Sequence, residues 1–189
     1  MVLRKMLIVG VSCVVTLVGS LPVASAATII DTIQSDIYCV PTCNSQGYSL
    51  SGNGGQSIAL PFSSPTAVVI DGIKAYIAMA SGFTGSFNIG IMADASGVPS
   101  GTFLDEVSVP TGPVSAPIIL ASLSWPISGG TPYWLAAIAT QGTYRAEWQF
   151  NNSLSGVYAY TRGSWLLQDG PLPEAIITGG RSSSLRPGR

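Results

Sequence analysis

The chain contains no histidine. Ser-His-Asp and Cys-His nucleophilic sites, and metal ligation by imidazole, are therefore excluded at the outset. Charge is scarce as well: Asp, Glu, Lys and Arg make up 9% of the residues, against about a quarter in an ordinary soluble domain. With Arg4 and Lys5 set aside, six basic residues face nine acidic ones, a net charge of −3, and no basic stripe remains. A nucleic-acid partner would need such a stripe to neutralise phosphates, so the composition argues against one. No Gly-x-Ser-x-Gly elbow and no Gly-x-x-x-x-Gly-Lys phosphate loop occurs. Of three cysteines, Cys13 lies in an apolar N-terminal run, which leaves Cys39 and Cys43 in "YCVPTC". Their spacing is not the redox Cys-x-x-Cys, and there is no histidine to complete a zinc set. A structural Cys39–Cys43 disulfide is the expectation, ahead of free or metal-binding thiols. So small a ring restricts the unfolded chain by about 2 kcal/mol and would pin an N-terminal corner.

Only one long hydrophobic run exists. "MVLRKMLIVGVSCVVTLVGSLPVASA" begins with Arg4 and Lys5, continues with an apolar core from Met6 to Leu17, and ends in Ala24-Ser25-Ala26. The core is shorter than the roughly 20 residues of a membrane helix, and the small residues suit signal peptidase. Gly19, Ser20 and Pro22 interrupt the rival reading, an anchor helix reaching Val23. The sequence thus predicts a signal peptide over 1–26, cleavage before Ala27, and a mature chain that is secreted, extracellular or on the cell surface, with no membrane span after cleavage. Export also favours thiol oxidation.

The remaining 163 of 189 residues suit one domain. Their dominant pattern is period two, which puts successive side chains on opposite faces of a strand. In "YRAEWQF", Tyr144, Ala146, Trp148 and Phe150 share one face and Arg145, Glu147 and Gln149 the other. "SFNIGIMAD" places Phe87, Ile89, Ile91 and Ala93 inward, and "GIKAYIAMA" reads as a further strand. "TPYWLAAIAT" is apolar on both faces and is expected to be a central strand, with Pro132 at its first position, where a missing N–H does least harm. Turn-forming clusters punctuate these runs at "SGNGG", "SGFTGS", "DASGVPSG", "PTGPVSAP", "SGGTP", "TQG", "NNSLSG" and "QDGPLP". About nine strands without helices predict an all-β fold: an antiparallel β-sandwich in jelly-roll order. The domain is read as 27–180, with "EAIITG" as the last strand and 181–189 as a disordered tail.

The succession "GQSIALPF", "VVIDGIKAYI", "GSFNIGIMADASGVPSGTFLDEVSV" and "GGTPYWLAAIA" resembles the bacterial exported domains called choice-of-anchor proteins. Two features carry the likeness between about Gln56 and Gly179. One is a strand that ends in an acid and a Gly-x-Pro turn, Asp94 to Gly101; the other is the pair Tyr133 and Trp134 at a strand start. The resemblance implies a secreted sandwich domain with no established activity, often followed by a Pro-Glu-Pro sorting tail. Here Pro171, Pro173 and Glu174 are followed only by the short apolar stretch Ala175 to Thr178, so the expectation is a freely secreted chain or one without its anchor.

Candidate chemistry is sparse. Asp105 and Glu106 are adjacent, so on a strand they face opposite ways and cannot jointly flank a glycosidic bond. Asp94 could meet Asp169 or Glu147 only through the tertiary fold. Lys74 has no evident partner for Ser–Lys chemistry and reads as a solvated edge charge. The segment from Asp94 to Gly101 reads as a strand-to-strand corner, with Gly97, Pro99 and Gly101 supplying the turn geometry. Its rival is a calcium site built on Asp94 and Asp105, although no acid-dense loop is present.

Two functional readings result, neither with a cofactor, a metal or catalysis. The first is a structural or envelope-associated sandwich. The alternative is a carbohydrate-binding module for envelope or extracellular polysaccharide, built on "GVYAYTRGSW": Tyr158, Tyr160 and Arg162 share one face and Trp165 lies just beyond. If these rings stand in solvent they form a platform for sugars, with Arg162 donating to oxygens. If they pack inward they are core aromatics, which the larger area they bury favours.

Overall fold

The computed structural model describes residues 26–33, 47–51, 56–79, 85–110, 118–141, 145–161 and 163–181. These contain twelve strands: β1 (Ala27–Asp31), β2 (Gly47–Ser51), β3 (Ile58–Ser63), β4 (Val68–Ala75), β5 (Ile77–Met79), β6 (Ser86–Asp94), β7 (Pro99–Pro110), β8 (Ile118–Ile127), β9 (Pro132–Gln141), β10 (Arg145–Thr161), β11 (Trp165–Pro173) and β12 (Ala175–Arg181). A four-stranded sheet runs β1-β12-β4-β8, and an eight-stranded sheet runs β11-β10-β3-β9-β6-β7, with β2 and β5 paired to β10. Every pairing is antiparallel. The fold is the expected two-sheet β-sandwich. Residues 1–25 of the segment expected to be a signal peptide (1–26), Cys39 and Cys43, and residues 182–189 lie outside the described residues.

There are twelve strands rather than the expected nine, and several boundaries fall elsewhere for local reasons. "NNSLSG" is not a reversal: β10 runs through it, and its turn-formers are absorbed as a register shift between Asn151 and Ser155. "QDGPLP" likewise stays within β11, whose Pro171 and Pro173 are tolerated because β11 lies at the sheet edge. "GIKAYIAMA" divides at Tyr76, where the chain leaves the four-stranded sheet as β4 and joins the large one as β5. β12 continues to Arg181, which pairs with Val68, one residue into the segment read as a tail.

The same crossing between sheets happens at Glu174, between β11 and β12, and the two crossings are tied together. Tyr76 N donates to Glu174 O at 3.2 Å, Gln149 N to Tyr76 O at 2.8 Å, and Glu174 N to Gln149 O at 2.9 Å. Trp148 Nε1 donates to Glu174 O at 3.0 Å. The Thr32 hydroxyl donates to Pro173 O at 2.6 Å and accepts from Ala175 N at 2.8 Å. Backbone groups that no ladder can satisfy at a corner are thus paired, as buried polar groups must be.

Between the sheets lies one core. The inward positions of β3, β6 and β9 supply Ile58, Leu60, Phe62, Phe87, Ile89, Ile91, Tyr133, Leu135 and Ala137. Ile70, Ile73, Ala75, Trp125 and Ile177 face them from the small sheet. Branched and aromatic side chains suit such a pleated, buried surface. As expected, β9 is central and Leu135, Ala136 and Ala137 are wholly buried.

Candidate functional site

Tyr158 and Tyr160 point between the sheets. Tyr158 is only 2% exposed. Its ring centroid stands 4.2 Å from that of Tyr48 and 6.4 Å from that of Tyr160, and Tyr48 lies 4.9 Å from Phe150. Tyr160 is half-buried against the same core. The Tyr48 hydroxyl donates to Pro171 O at 2.6 Å, below Gly170, where an added Cβ would stand 3.2 Å from that hydroxyl oxygen. Burial first, and then the neighbouring Tyr158 hydroxyl, push the Tyr48 phenol well above its usual range. Burial also raises Tyr158; its hydrogen bond with Tyr48 opposes that rise, and Tyr160 adds to it. These rings are core aromatics, not a solvent-facing platform. Arg162 lies outside the described residues.

Trp165 is separated from them. It lies on the opposite face of the eight-stranded sheet, in a second apolar cluster: Ala59, Met92, Trp134, Ala136 and Ala159 are buried there, with Phe103, Ile138 and Trp165 packed partly against them. The register explains the grouping. Ala159 pairs with Ala59, Ala59 with Ala136 and Ala136 with Gly90, which makes a floor of small residues across four strands. Trp134 pairs with Met92, and Met92 with Phe103. Although β11 and β7 form opposite edges of this sheet, a Cβ built on Gly101 would stand 3.9 Å from Trp165 Nε1. The sheet therefore curls over its alanine floor. Alternation with Phe87, Ile89 and Ile91 inward puts Met92 on the outer face, where it is nonetheless buried; the signal for this cluster is the run of alanines, which alternation alone does not weigh.

The corner after β6 is part of this cluster's frame. Asp94 Oδ2 accepts from Gly97 N at 2.9 Å, and Ala95 N donates to Val98 O at 2.7 Å. Ser96, Gly97 and Gly101 hold φ of 60°, 91° and 83°. The other Asp94 oxygen, Oδ1, accepts from Trp134 Nε1 at 2.8 Å. Both oxygens are thus spent on fastening the turn and the indole, which makes the segment a corner. Asp105 sits opposite Ile91, and among the described residues no three Asp, Glu, Cys or His side chains gather to hold a metal. Three strands separate Asp94 on β6 from Asp169 on β11, and Glu147 lies in the half of β10 that pairs with β2 and β5. No glycosidase-like pair is assembled.

Lys74 corrects another expectation. It belongs to β4, an inner strand of the small sheet, and its ammonium lies 5.2 Å from the Tyr76 ring centroid, a cation–π arrangement and not an edge charge. Among the described residues, no helix is long and apolar enough to cross a membrane. No family model matches the chain, and no curated protein matches it.

Proposed function

We propose that this protein is an exported, non-catalytic β-sandwich that serves as a structural or envelope-associated module of the cell exterior. One observation carries the reading: the described tryptophans and tyrosines are spent on packing. Trp125, Trp134, Trp148, Tyr76, Tyr133 and Tyr158 are buried, and Trp165, Tyr48 and Tyr160 are half-buried. A sugar platform requires ring faces in water. The carboxylates that carry visible partners, Asp31, Asp71, Asp94 and Glu106, accept hydrogen bonds from backbone or side-chain groups nearby. The N-terminal 26 residues and the likeness to choice-of-anchor domains support export.

The test joins location to binding. The chain, expressed in a bacterial host, is fractionated and its N-terminus determined by mass spectrometry, and the purified product is screened on a glycan array. Protein outside the cytoplasm, starting at Ala27 and retained by no glycan, agrees with the proposal. An intact N-terminus on cytoplasmic protein overturns the export reading. Saturable glycan retention that Trp165→Ala abolishes without unfolding would establish the carbohydrate-binding alternative.

A further inference from the structure

Tyr48 of β2 and Tyr158 of β10 are remote in sequence and meet only through the fold. Their ring centroids stand 4.2 Å apart with planes tilted by 34°, closer than the pairs Tyr48–Phe150, Phe62–Tyr133 and Tyr158–Tyr160 at 4.9, 5.9 and 6.4 Å. The hydroxyl ends are neighbours as well. A Cβ built on Gly170 would stand 3.2 Å from the Tyr48 hydroxyl oxygen and 3.3 Å from Tyr158 Cε1, so that oxygen and a ring carbon ortho to the other hydroxyl flank a single point, which glycine leaves free.

Phenols held in this way share one oxidative reaction. Loss of an electron and a proton gives a phenoxyl radical, whose unpaired electron is spread onto the ring carbons ortho to oxygen, and two such rings join at those carbons. Phe150, the other ring against Tyr48, has no hydroxyl and cannot take part. Rings fixed in contact react as an intramolecular pair, whose effective concentration exceeds that of separate chains by orders of magnitude. Tyr158, only 2% exposed, is in any case closed to a second molecule.

We propose that Tyr48 and Tyr158 form an oxidative modification site, at which a one-electron oxidant converts the pair into a carbon–carbon-linked biphenol that staples β2 to β10. Two equivalents of oxidant take one electron from each phenol, and the two phenolic protons pass to water at the half-buried Tyr48 edge. One bond then forms between an ortho carbon of each ring. The hydrogen on each of those carbons moves to oxygen, which restores both hydroxyls, so the chain loses two hydrogen atoms and gains nothing. Burial keeps both phenols protonated until that step. The staple has a structural consequence. β2 pairs only with Arg145–Gln149 of β10, whereas Tyr158 lies beyond the register shift between Asn151 and Ser155, so the new bond bridges the irregular part of that long strand. The proposal holds or fails independently of where the protein resides.

Photo-oxidation of dilute purified protein with tris(bipyridyl)ruthenium(II) and persulfate, a source of one-electron oxidant, tests it. The expected product is monomeric, shows the blue emission of a biphenol, weighs two hydrogen atoms less, and yields on proteolysis a linked peptide pair holding Tyr48 and Tyr158. Unfolding in urea before oxidation should lower the yield of that pair at least about tenfold. Tyr48→Phe should abolish it and Tyr160→Phe should retain it. Tyr48→Phe also removes the hydroxyl bond to Pro171 O, so circular dichroism checks its fold, and the peptide map of the unsubstituted chain decides the matter if that variant unfolds. Linkage of Tyr158 to Tyr160, biphenol formed only between separate chains, or oxidised protein without a Tyr48–Tyr158 linkage overturns the proposal.

Discussion

Replacing Tyr158 with alanine should cost a large part of the stability of this domain. The ring is 2% exposed and stacks on Tyr48 at 4.2 Å. Truncating a buried aromatic costs about 3–5 kcal/mol, and the lost ring pair contributes about 0.5–1.5 kcal/mol within that range. A loss of about 4 kcal/mol is about a quarter or more of the stability of a typical domain, roughly 5–15 kcal/mol. At about 2–4 °C per kcal/mol for a chain of this size, the melting temperature should fall by about 8–16 °C. Tyr160→Ala, at a half-buried ring on the same face, should cost roughly half as much. Urea unfolding followed by tryptophan fluorescence and far-UV circular dichroism measures both, with an unchanged m-value as the check that the denatured state is the same. If Tyr158→Ala costs less than about 1 kcal/mol, or less than Tyr160→Ala does, Tyr158 is not the core residue described.

Gly90→Ala should be among the most damaging small substitutions, about 3 kcal/mol or more, because the new Cβ would overlap the Asp105 carbonyl oxygen and stand 2.8 Å from Glu106 Cα, which are backbone atoms that cannot rotate away; a thermal melt close to wild type would refute that packing. Trp134→Phe removes the indole donor to Asp94 and should cost about 1.5–3 kcal/mol; a thermal melt close to wild type would refute that bond. Glu174 should contribute to the pH dependence of stability in the acidic range. Burial raises its carboxyl above the ordinary 4.5, so the folded state holds the proton more tightly. The stability this contributes is present below 4.5 and is lost as pH rises through the folded value. Glu174→Gln should therefore flatten the decline in urea midpoint across mildly acidic pH, and an unaltered slope would assign that decline to another group.

Local turn chemistry predicts reversals that the sheets do not make. Asn, Ser, Gly and Pro clusters suggest reversals, yet "NNSLSG" is a register shift inside β10 and "QDGPLP" the end of an edge strand. Turn propensity describes what a residue tolerates locally, and whether the chain reverses depends on the strand beside it. Met92 and Trp134 were similarly legible as strand residues but not as partners. Trp134 reaches Asp94 across 40 positions of sequence, and Thr32 reaches Ala175 across 143. The reading of "GVYAYTRGSW" illustrates both limits: alternation correctly put Tyr158 and Tyr160 on one face, and the greater area of the rings favoured the core, but nothing local tells that Trp165 faces the other way.

By itself the sequence determined the class of fold, the central place of "TPYWLAAIAT", the inward face of β6, the shared face of Tyr158 and Tyr160 on β10, and the corner at Asp94 to Gly101. Each follows from period-two alternation or turn chemistry, which act over a few residues. Tertiary structure alone decided which strands are neighbours, where the chain crosses between sheets at Tyr76 and Glu174, that a second apolar cluster fills the curled outer face, and that β11 and β7 end the order of the large sheet. Those outcomes arise from pairing between segments far apart in sequence, whose energies are set by the register and burial that exist only once both sheets have formed.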